Sequence, residues 1–209
     1  IANVKHLEGG GIYINGSNPT IKNVVFTAND AEKKGGALFL QDGSDVILEN
    51  VTFDGNLIQS DFDEKKGAAV YSHNSDLSLV NCAIKGNWAV GSIEGTIGGS
   101  VYFISDDNLS DDNRFDLTID GATIQGNQAK DAGGIYIHNS NATITNTVIS
   151  GNVALSGNAG AIYSKNSTVE IIHSTITGNM CGLEGCTGAI YSEGSDIILI
   201  NSMIIFFCS

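Results

Sequence analysis

Arginine and proline are almost missing from this chain of 209 residues, with Arg114 the only arginine and Pro19 the only proline. Acidic residues outnumber basic ones by 23 to 10, and the formal net charge is −13. Because nucleic-acid recognition depends on arginine and on positive potential, we expect no nucleic-acid partner. A run of 18 apolar residues is also missing, so we expect no transmembrane segment.

A helical pattern is missing as well. Charged residues make up only 16% of the chain, whereas it contains 26 glycines and many Asn, Ser and Thr. This composition favours short strands joined by tight turns. Neither an initiating methionine nor a signal peptide is visible. We expect a single β-helix domain over residues 1–209, either as a mature product or as a piece of a longer polypeptide.

A small residue, an aliphatic residue and an aromatic residue recur together seven times, first as Gly11-Ile12-Tyr13. The interval between aromatic positions ranges from 26 residues, Tyr13 to Phe39, to 34 residues, Tyr102 to Tyr136. Internal repeats of this length indicate a repeat architecture. The aromatic column comprises Tyr13, Phe39, Tyr71, Tyr102, Tyr136, Tyr163 and Tyr191.

A second motif follows each aromatic residue and ends in a closing asparagine. The closing asparagines are Asn29, Asn56, Asn87, Asn127, Asn152 and Asn179. Large apolar residues stand three and eight positions before each of them, and the residues between alternate small and polar, which indicates strands. Because these apolar columns occupy the same place in every copy, we expect the copies to stack around one core.

Each copy therefore predicts three strands and three turns. The chain is predicted to be an all-β protein, a right-handed parallel β-helix of about seven rungs. Asparagine side chains in register can bond one another, so we interpret the closing asparagines as structural ladders. A sugar-binding role for them is the alternative.

At Gly35-Gly36-Ala37-Leu38 and Phe53-Asp54-Gly55-Asn56 the chain resembles the chlamydial polymorphic outer-membrane protein repeats. That family is marked by Gly-Gly-Ala-aliphatic and Phe-x-x-Asn motifs, and the resemblance extends over nearly the whole chain. It implies a pectin-lyase-like β-helix in the passenger region of a surface-exposed adhesin. A secreted, extracellular or cell-surface location follows from the same resemblance.

The aromatic column has two interpretations. By strand alternation its rings point outward, and Tyr71, Tyr102 and Tyr136 are then candidates for stacking on a glycan or a protein partner. The alternative is a self-stacking structural ladder that loops shield from solvent.

Residues 105–116, here called the acidic loop, interrupt one rung with five carboxylates in twelve residues. One hypothesis is a calcium site, because calcium prefers oxygen ligands. The alternative is a solvated loop without a cofactor. The candidate metal ligands are Asp106, Asp107, Asp111 and Asp112.

Variation concentrates in the links between one closing asparagine and the next glycines, which we expect to line one edge of the solenoid. The links are residues 30–34, 57–66, 88–97, 128–132, 153–159 and 180–187. Loops on a rigid scaffold are common binding sites, so we predict a partner-binding edge near residues 61–97. Its candidate residues are Asp61, Asp63, Glu64 and Trp88.

Cys181 and Cys186 flank four residues within one link. In an oxidising compartment they are predicted to form a disulfide. Cys82 falls in a column of small residues and is predicted to be buried.

No Ser-His-Asp arrangement or metal-ligand spacing is visible, and we predict that the chain has no catalytic residues. The leading functional hypothesis is an extracellular, adhesin-like module that binds a protein or a glycan. A structural subunit of a filament or wall is the second hypothesis; it would self-associate end to end through the apolar end around Phe206 and Phe207. A polysaccharide lyase or hydrolase and an ice-binding protein are the remaining alternatives.

Overall fold

The computed structural model describes residues 1–59, 65–89, 98–182, 184 and 186–205. Within them the only helical element is one 3-10 turn, Asp111–Asn113, and every other regular element is a short β-strand. The strands form four parallel sheets of seven strands each. The predicted β-solenoid of about seven rungs is therefore confirmed.

Each rung contributes one strand to each sheet, in the chain order link sheet, tyrosine sheet, long sheet and asparagine sheet. The link sheet contains β1 (Lys5–Glu8), β5 (Asp30–Lys34), β9 (Leu57–Ile58), β13 (Trp88–Ala89), β17 (Gln128–Ala129), β21 (Val153–Ala154) and β25 (Met180–Cys181). The tyrosine sheet contains β2 (Ile12–Asn15), β6 (Leu38–Gln41), β10 (Val70–His73), β14 (Val101–Ile104), β18 (Ile135–His138), β22 (Ile162–Lys165) and β26 (Ile190–Glu193).

The other two sheets complete each rung. The long sheet contains β3 (Thr20–Lys22), β7 (Asp45–Glu49), β11 (Asp76–Val80), β15 (Asp116–Asp120), β19 (Asn141–Thr145), β23 (Thr168–Ile172) and β27 (Asp196–Ile200). The asparagine sheet contains β4 (Val25–Thr27), β8 (Thr52–Asp54), β12 (Ala83–Lys85), β16 (Thr123–Gln125), β20 (Val148–Ser150), β24 (Thr175–Thr177) and β28 (Met203–Ile205).

The prediction of three strands per rung was wrong, because each link begins with a strand of its own. From β9 onward this strand has only two residues, too few to show an alternating pattern. One of the two nevertheless points inward, since Ile58, Ala89 and Ala129 are fully buried. The links do share one edge of the solenoid, as expected, and their first residues pair in register.

The apolar columns form one continuous core. In the long sheet Leu48, Leu79 and Ile119 lie in register and are fully buried. In the asparagine sheet Phe26 and Phe53 stack with their ring centroids 5.0 Å apart. Since each rung covers the apolar residues of the next, no rung has a separate core.

The closing asparagines form a buried ladder where the asparagine sheet turns into the link sheet. In each step Nδ2 of one asparagine donates to Oδ1 of the next, at 2.9 Å from Asn56 to Asn87 and 3.0 Å from Asn87 to Asn127. The Nδ2 of Asn87 also donates to the carbonyl of Phe53. Every buried amide in the middle of the ladder is thus paired, and the structural interpretation of these asparagines is confirmed.

The glycines before the aromatic motif are required by close backbone contact. A Cβ placed on Gly36 would collide with the carbonyl oxygen of Ala68 in the next rung, and one on Gly160 with that of Gly188. The corner between link sheet and tyrosine sheet therefore stacks backbone directly on backbone.

The predicted disulfide between Cys181 and Cys186 is present, with their Cα atoms 6.1 Å apart. Cys82 is buried, as predicted. Phe206 and Phe207 lie outside the described residues, so end-to-end association stays a prediction.

Candidate functional site

The aromatic column forms a continuous ladder on the outward face of the tyrosine sheet. Neighbouring rings are nearly parallel between Tyr13 and Tyr102, and the centroids of Tyr102 and Tyr136 are 4.6 Å apart. The rings from Phe39 to Tyr163 form a second apolar cluster, separate from the main core. Strand alternation therefore predicted their direction correctly.

The links cover the middle of this ladder. The ammonium group of Lys34 lies 5.4 Å from the ring centroid of Tyr71, and that of Lys66 lies 5.6 Å from that of Tyr102. Burial raises the pKa of the Tyr136 hydroxyl to about 12. Because Tyr71, Tyr102 and Tyr136 are buried, they do not offer an open stacking surface, and the structure supports the shielded ladder of the two alternatives.

The predicted binding edge near residues 61–97 is only partly described. Trp88 is exposed in β13 and borders a hollow of about 250 Å³ with Leu57, Ile58 and Gln59. Asp61, Asp63 and Glu64 lie outside the described residues, as does the segment 90–97. A partner at this edge stays a prediction.

The acidic loop is anchored to the rungs on both sides of it through Asp106. One carboxylate oxygen of Asp106 lies 2.8 Å from Nε2 of His73, and the other accepts a hydrogen bond from Asn74 at 2.7 Å. The bonds from Asn74 and His73 lower the pKa of this carboxyl group. On the other side, Asn139 donates to the backbone carbonyl of Asp106. The loop thus has a fixed base.

Beyond this base the acidic loop forms one wall of a polar cleft of about 560 Å³. The cleft extends along the corner between the tyrosine and long sheets and takes side chains from four successive rungs. Three rung intervals correspond to a length of about 14 Å. The lining residues are Asp107, Leu109, Asp111, Arg114, His138, Asn139, Lys165, Asn166, Ser167, Thr168, Gly194 and Asp196.

Basic groups in this cleft are more buried than the carboxylates that pair with them. The Arg114 side chain is 15% exposed, and its Nη2 lies 2.8 Å from Oδ1 of Asp111, whose side chain is 85% exposed. His138 and Asp107 show the same contrast, 21% against 78%, at 3.0 Å. The bases therefore form the floor, and the carboxylates stand at the rim.

Lys165 extends the basic floor into the next rung. Its Nζ lies 2.9 Å from Oε1 of Glu193, and the other carboxylate oxygen of Glu193 accepts a hydrogen bond from the Tyr163 hydroxyl at 3.0 Å. Burial lowers the pKa of His138, and this effect outweighs the opposing effect of the Asp107 carboxylate. His138 is in register with Lys165 on the adjacent strand.

The predicted calcium ligands do not come together in this loop. Asp106, Asp107 and Asp111 turn to three different partners: His73, His138 and Arg114. No group of three or more His, Cys, Asp or Glu side chains close enough to hold a metal exists in the described part of the chain, which contains all four candidates including Asp112. They lie apart because Asp106 bonds His73 and Asn74 of the preceding rung, Asp107 pairs with His138 of the following rung, and Asp111 pairs with Arg114 inside the loop.

The sequence motifs did not identify His138, Lys165 and Asp196 as site residues. His138 and Lys165 belong to an outward column two residues after the aromatic column, and this position was the available signal. Nothing in the local sequence places Asp196 beside the acidic loop, because the two are three rungs apart along the chain.

These features define a class, a parallel β-helix with a polar cleft at one corner. Residues 10–204 match the family model for the right-handed β-helix region, and the chain belongs to that family. No curated protein and no solved structure matched the chain. The described residues contain no helix that is long and apolar enough to cross a membrane.

Proposed function

We propose that this β-helix is the binding module of an extracellular surface protein and that it holds a glycan, without catalysis, in the cleft beside the acidic loop. The observation that carries the proposal is the cleft itself, which takes donors and acceptors from four rungs. Carboxylates, amides, hydroxyls and basic groups together can bond sugar hydroxyls as donors and as acceptors.

The extracellular location is supported by the disulfide between Cys181 and Cys186, because disulfides persist in oxidising compartments. The resemblance to chlamydial surface-protein repeats agrees with this location. A rigid scaffold with one long loop is also a common arrangement for binding.

The test replaces residues 105–115 with Asn-Ser, the two-residue turn that connects β18 and β19 in the next rung. Binding to an array of neutral and sulfated glycans is then compared between this variant and the original chain. We expect a folded variant that has lost its glycan signal, since the cleft has lost one wall. The matched control is Trp88→Ala, which alters the other candidate edge.

Equal glycan binding by the loop-shortened variant and the original chain would contradict the proposal. If Trp88→Ala alone abolished binding, the functional surface would be the link edge instead.

A polysaccharide lyase or hydrolase is the second candidate, because the His138–Asp107 pair lies in the same cleft as Arg114. A positioned histidine and a cationic group are components of acid–base catalysis. Polysaccharide turnover that disappears in Arg114→Ala would establish this candidate in place of pure binding.

A further inference from the structure

We propose that the cleft recognises a sulfate ester on its glycan, with Arg114 as the anchoring residue and Asp111 as the carboxylate that the sulfate displaces. This inference rests on the proposed function and adds the chemical group that the site selects.

Arg114 is incompletely paired. Its Nε is buried and has no hydrogen-bond partner among the residues that the structure describes. A buried N–H without a partner is unfavourable, so a rearrangement that supplies an acceptor is favoured. The guanidinium group can bind an oxyanion through two parallel N–H bonds, whereas here one of its contacts is the exposed carboxylate of Asp111.

Asp111 is easily displaced. Its side chain is 85% exposed, and ion pairs with so exposed a partner contribute little to stability. Moving this carboxylate into water therefore costs little, and the guanidinium then becomes available to the ligand. His138 has the same arrangement with Asp107, at 78% exposure.

The arrangement of donors favours a tetrahedral oxyanion. Arg114 approaches from the acidic loop, His138 from β18 and Lys165 from β22, so the donors come from three elements. A planar carboxylate offers two acceptor oxygens, whereas a sulfate ester offers three. A sulfate ester also carries a single negative charge, which suits a cleft that contains Asp107 and Asp196.

The experiment compares a disaccharide that carries one sulfate ester, the same disaccharide without it, and inorganic sulfate, each by isothermal titration calorimetry. We expect the sulfated disaccharide to bind at least about tenfold more tightly than the unsulfated one. Inorganic sulfate alone should bind more weakly than the sulfated sugar, because it lacks the hydroxyl contacts.

Two variants test the displacement. Arg114→Gln should weaken binding of the sulfated disaccharide at least about tenfold, because the anchoring cation is lost. Asp111→Asn should strengthen it roughly threefold, because the competing charge is removed; misfolding cannot produce this gain. Lys85→Gln, which removes a cation paired with Asp54 in the asparagine sheet, is the matched control and should change nothing.

Equal binding of the two disaccharides, unchanged in Arg114→Gln, would overturn the sulfate inference and leave the glycan-binding proposal standing. Failure of both sugars and of the glycan array would overturn both. Tight binding of inorganic sulfate with no gain from the sugar would show an anion site and contradict recognition of a glycan.

Discussion

At the scale of single residues, the turns depend on backbone conformations that most side chains disfavour. The residue before each closing asparagine has a positive φ, and it is glycine in five rungs, for example Gly55 and Gly151 with φ of 63° and 61°. Ala28 occupies the same place in the first of these turns with φ of 51°. Its Cβ is therefore held in a left-handed conformation that costs about 1–2 kcal/mol.

Ala28→Gly is expected to stabilise the chain by up to about 1 kcal/mol, because the relief of this strain exceeds the backbone entropy that glycine loses. Urea denaturation measures the change. The control Ala83→Gly, in strand β12, should destabilise by roughly 0.5–1 kcal/mol. A loss of stability in both variants would show that Ala28 is not strained.

At the scale of one element, the asparagine ladder fixes the corner of each rung by side-chain bonds in place of apolar packing. Asn87 donates to Asn127 and to the Phe53 carbonyl, and its Oδ1 accepts from both the backbone and the side-chain nitrogen of Asn56. Removing the Asn87 side chain leaves several buried polar groups without these hydrogen bonds.

Asn87→Ala should therefore destabilise the chain by about 4 kcal/mol, since each orphaned buried group costs roughly 1–3 kcal/mol. Thermal and urea unfolding of the variant check this. Asn179→Ala, at a half-buried position of the same ladder, should cost clearly less. Similar losses at both positions would argue against burial as the cause.

The long sheet carries a second consequence, because it stacks Asp45, Asp76 and Asp116 in adjacent rungs. Burial raises the pKa of Asp76 above its ordinary value of 3.8, and the neighbouring carboxylates of Asp116 and Asp45 raise it further. An acid whose pKa is raised in the folded state destabilises the fold once it is ionised. The free energy of unfolding therefore falls as the pH rises from 3.8 through the folded pKa.

Asp76→Asn should stabilise the chain at pH 7, and the gain should shrink as the pH falls and vanish well below 3.8, where Asp76 is protonated in both states. Asp120→Asn should have the opposite effect at pH 7, because hydrogen bonds from Asn146 and Thr145 lower the pKa of Asp120. Urea denaturation at the two pH values compares the variants. A gain that persists in acid would point to a cause other than charge.

At the scale of the whole molecule, the sequence predicted the fold but not the cleft. The apolar columns could be read because residues equivalent to Leu48 and Phe53 occupy the same place in every copy, and stacking follows from that recurrence. The cleft forms because the acidic loop, with Asp107, bends over later rungs, and the sequence does not show how far it bends. The side chains that it meets there come from three other rungs: His138, Lys165 and Asp196. The sequence left open whether the rings are shielded, because strand alternation gives the direction of Tyr71 but does not show that Lys34 covers it.

A solenoid without a separate core in each rung should show graded protection along its axis. Amide hydrogen exchange should be slowest in central strands such as β11 and β12, which are paired on both sides. It should be at least about tenfold faster in β27 and β28, which have one partner strand each among the residues that the structure describes. Mass spectrometry of exchanged peptides measures this gradient. Uniform protection would indicate all-or-none opening of the solenoid.

The asparagine ladder keeps the same hydrogen-bond length between rungs, whatever the number of residues in each rung. Asn87 and Asn127 are 40 residues apart in sequence, whereas Asn127 and Asn152 are 25 apart, and their bonds are 3.0 and 2.9 Å long. A longer loop adds little closure entropy, because that cost grows only logarithmically with length. Evolution can therefore enlarge or replace a corner loop in one rung while every neighbouring rung keeps its position. In this chain the acidic loop is such an addition, and by the same logic the corner that holds it is a grafting point for other recognition loops.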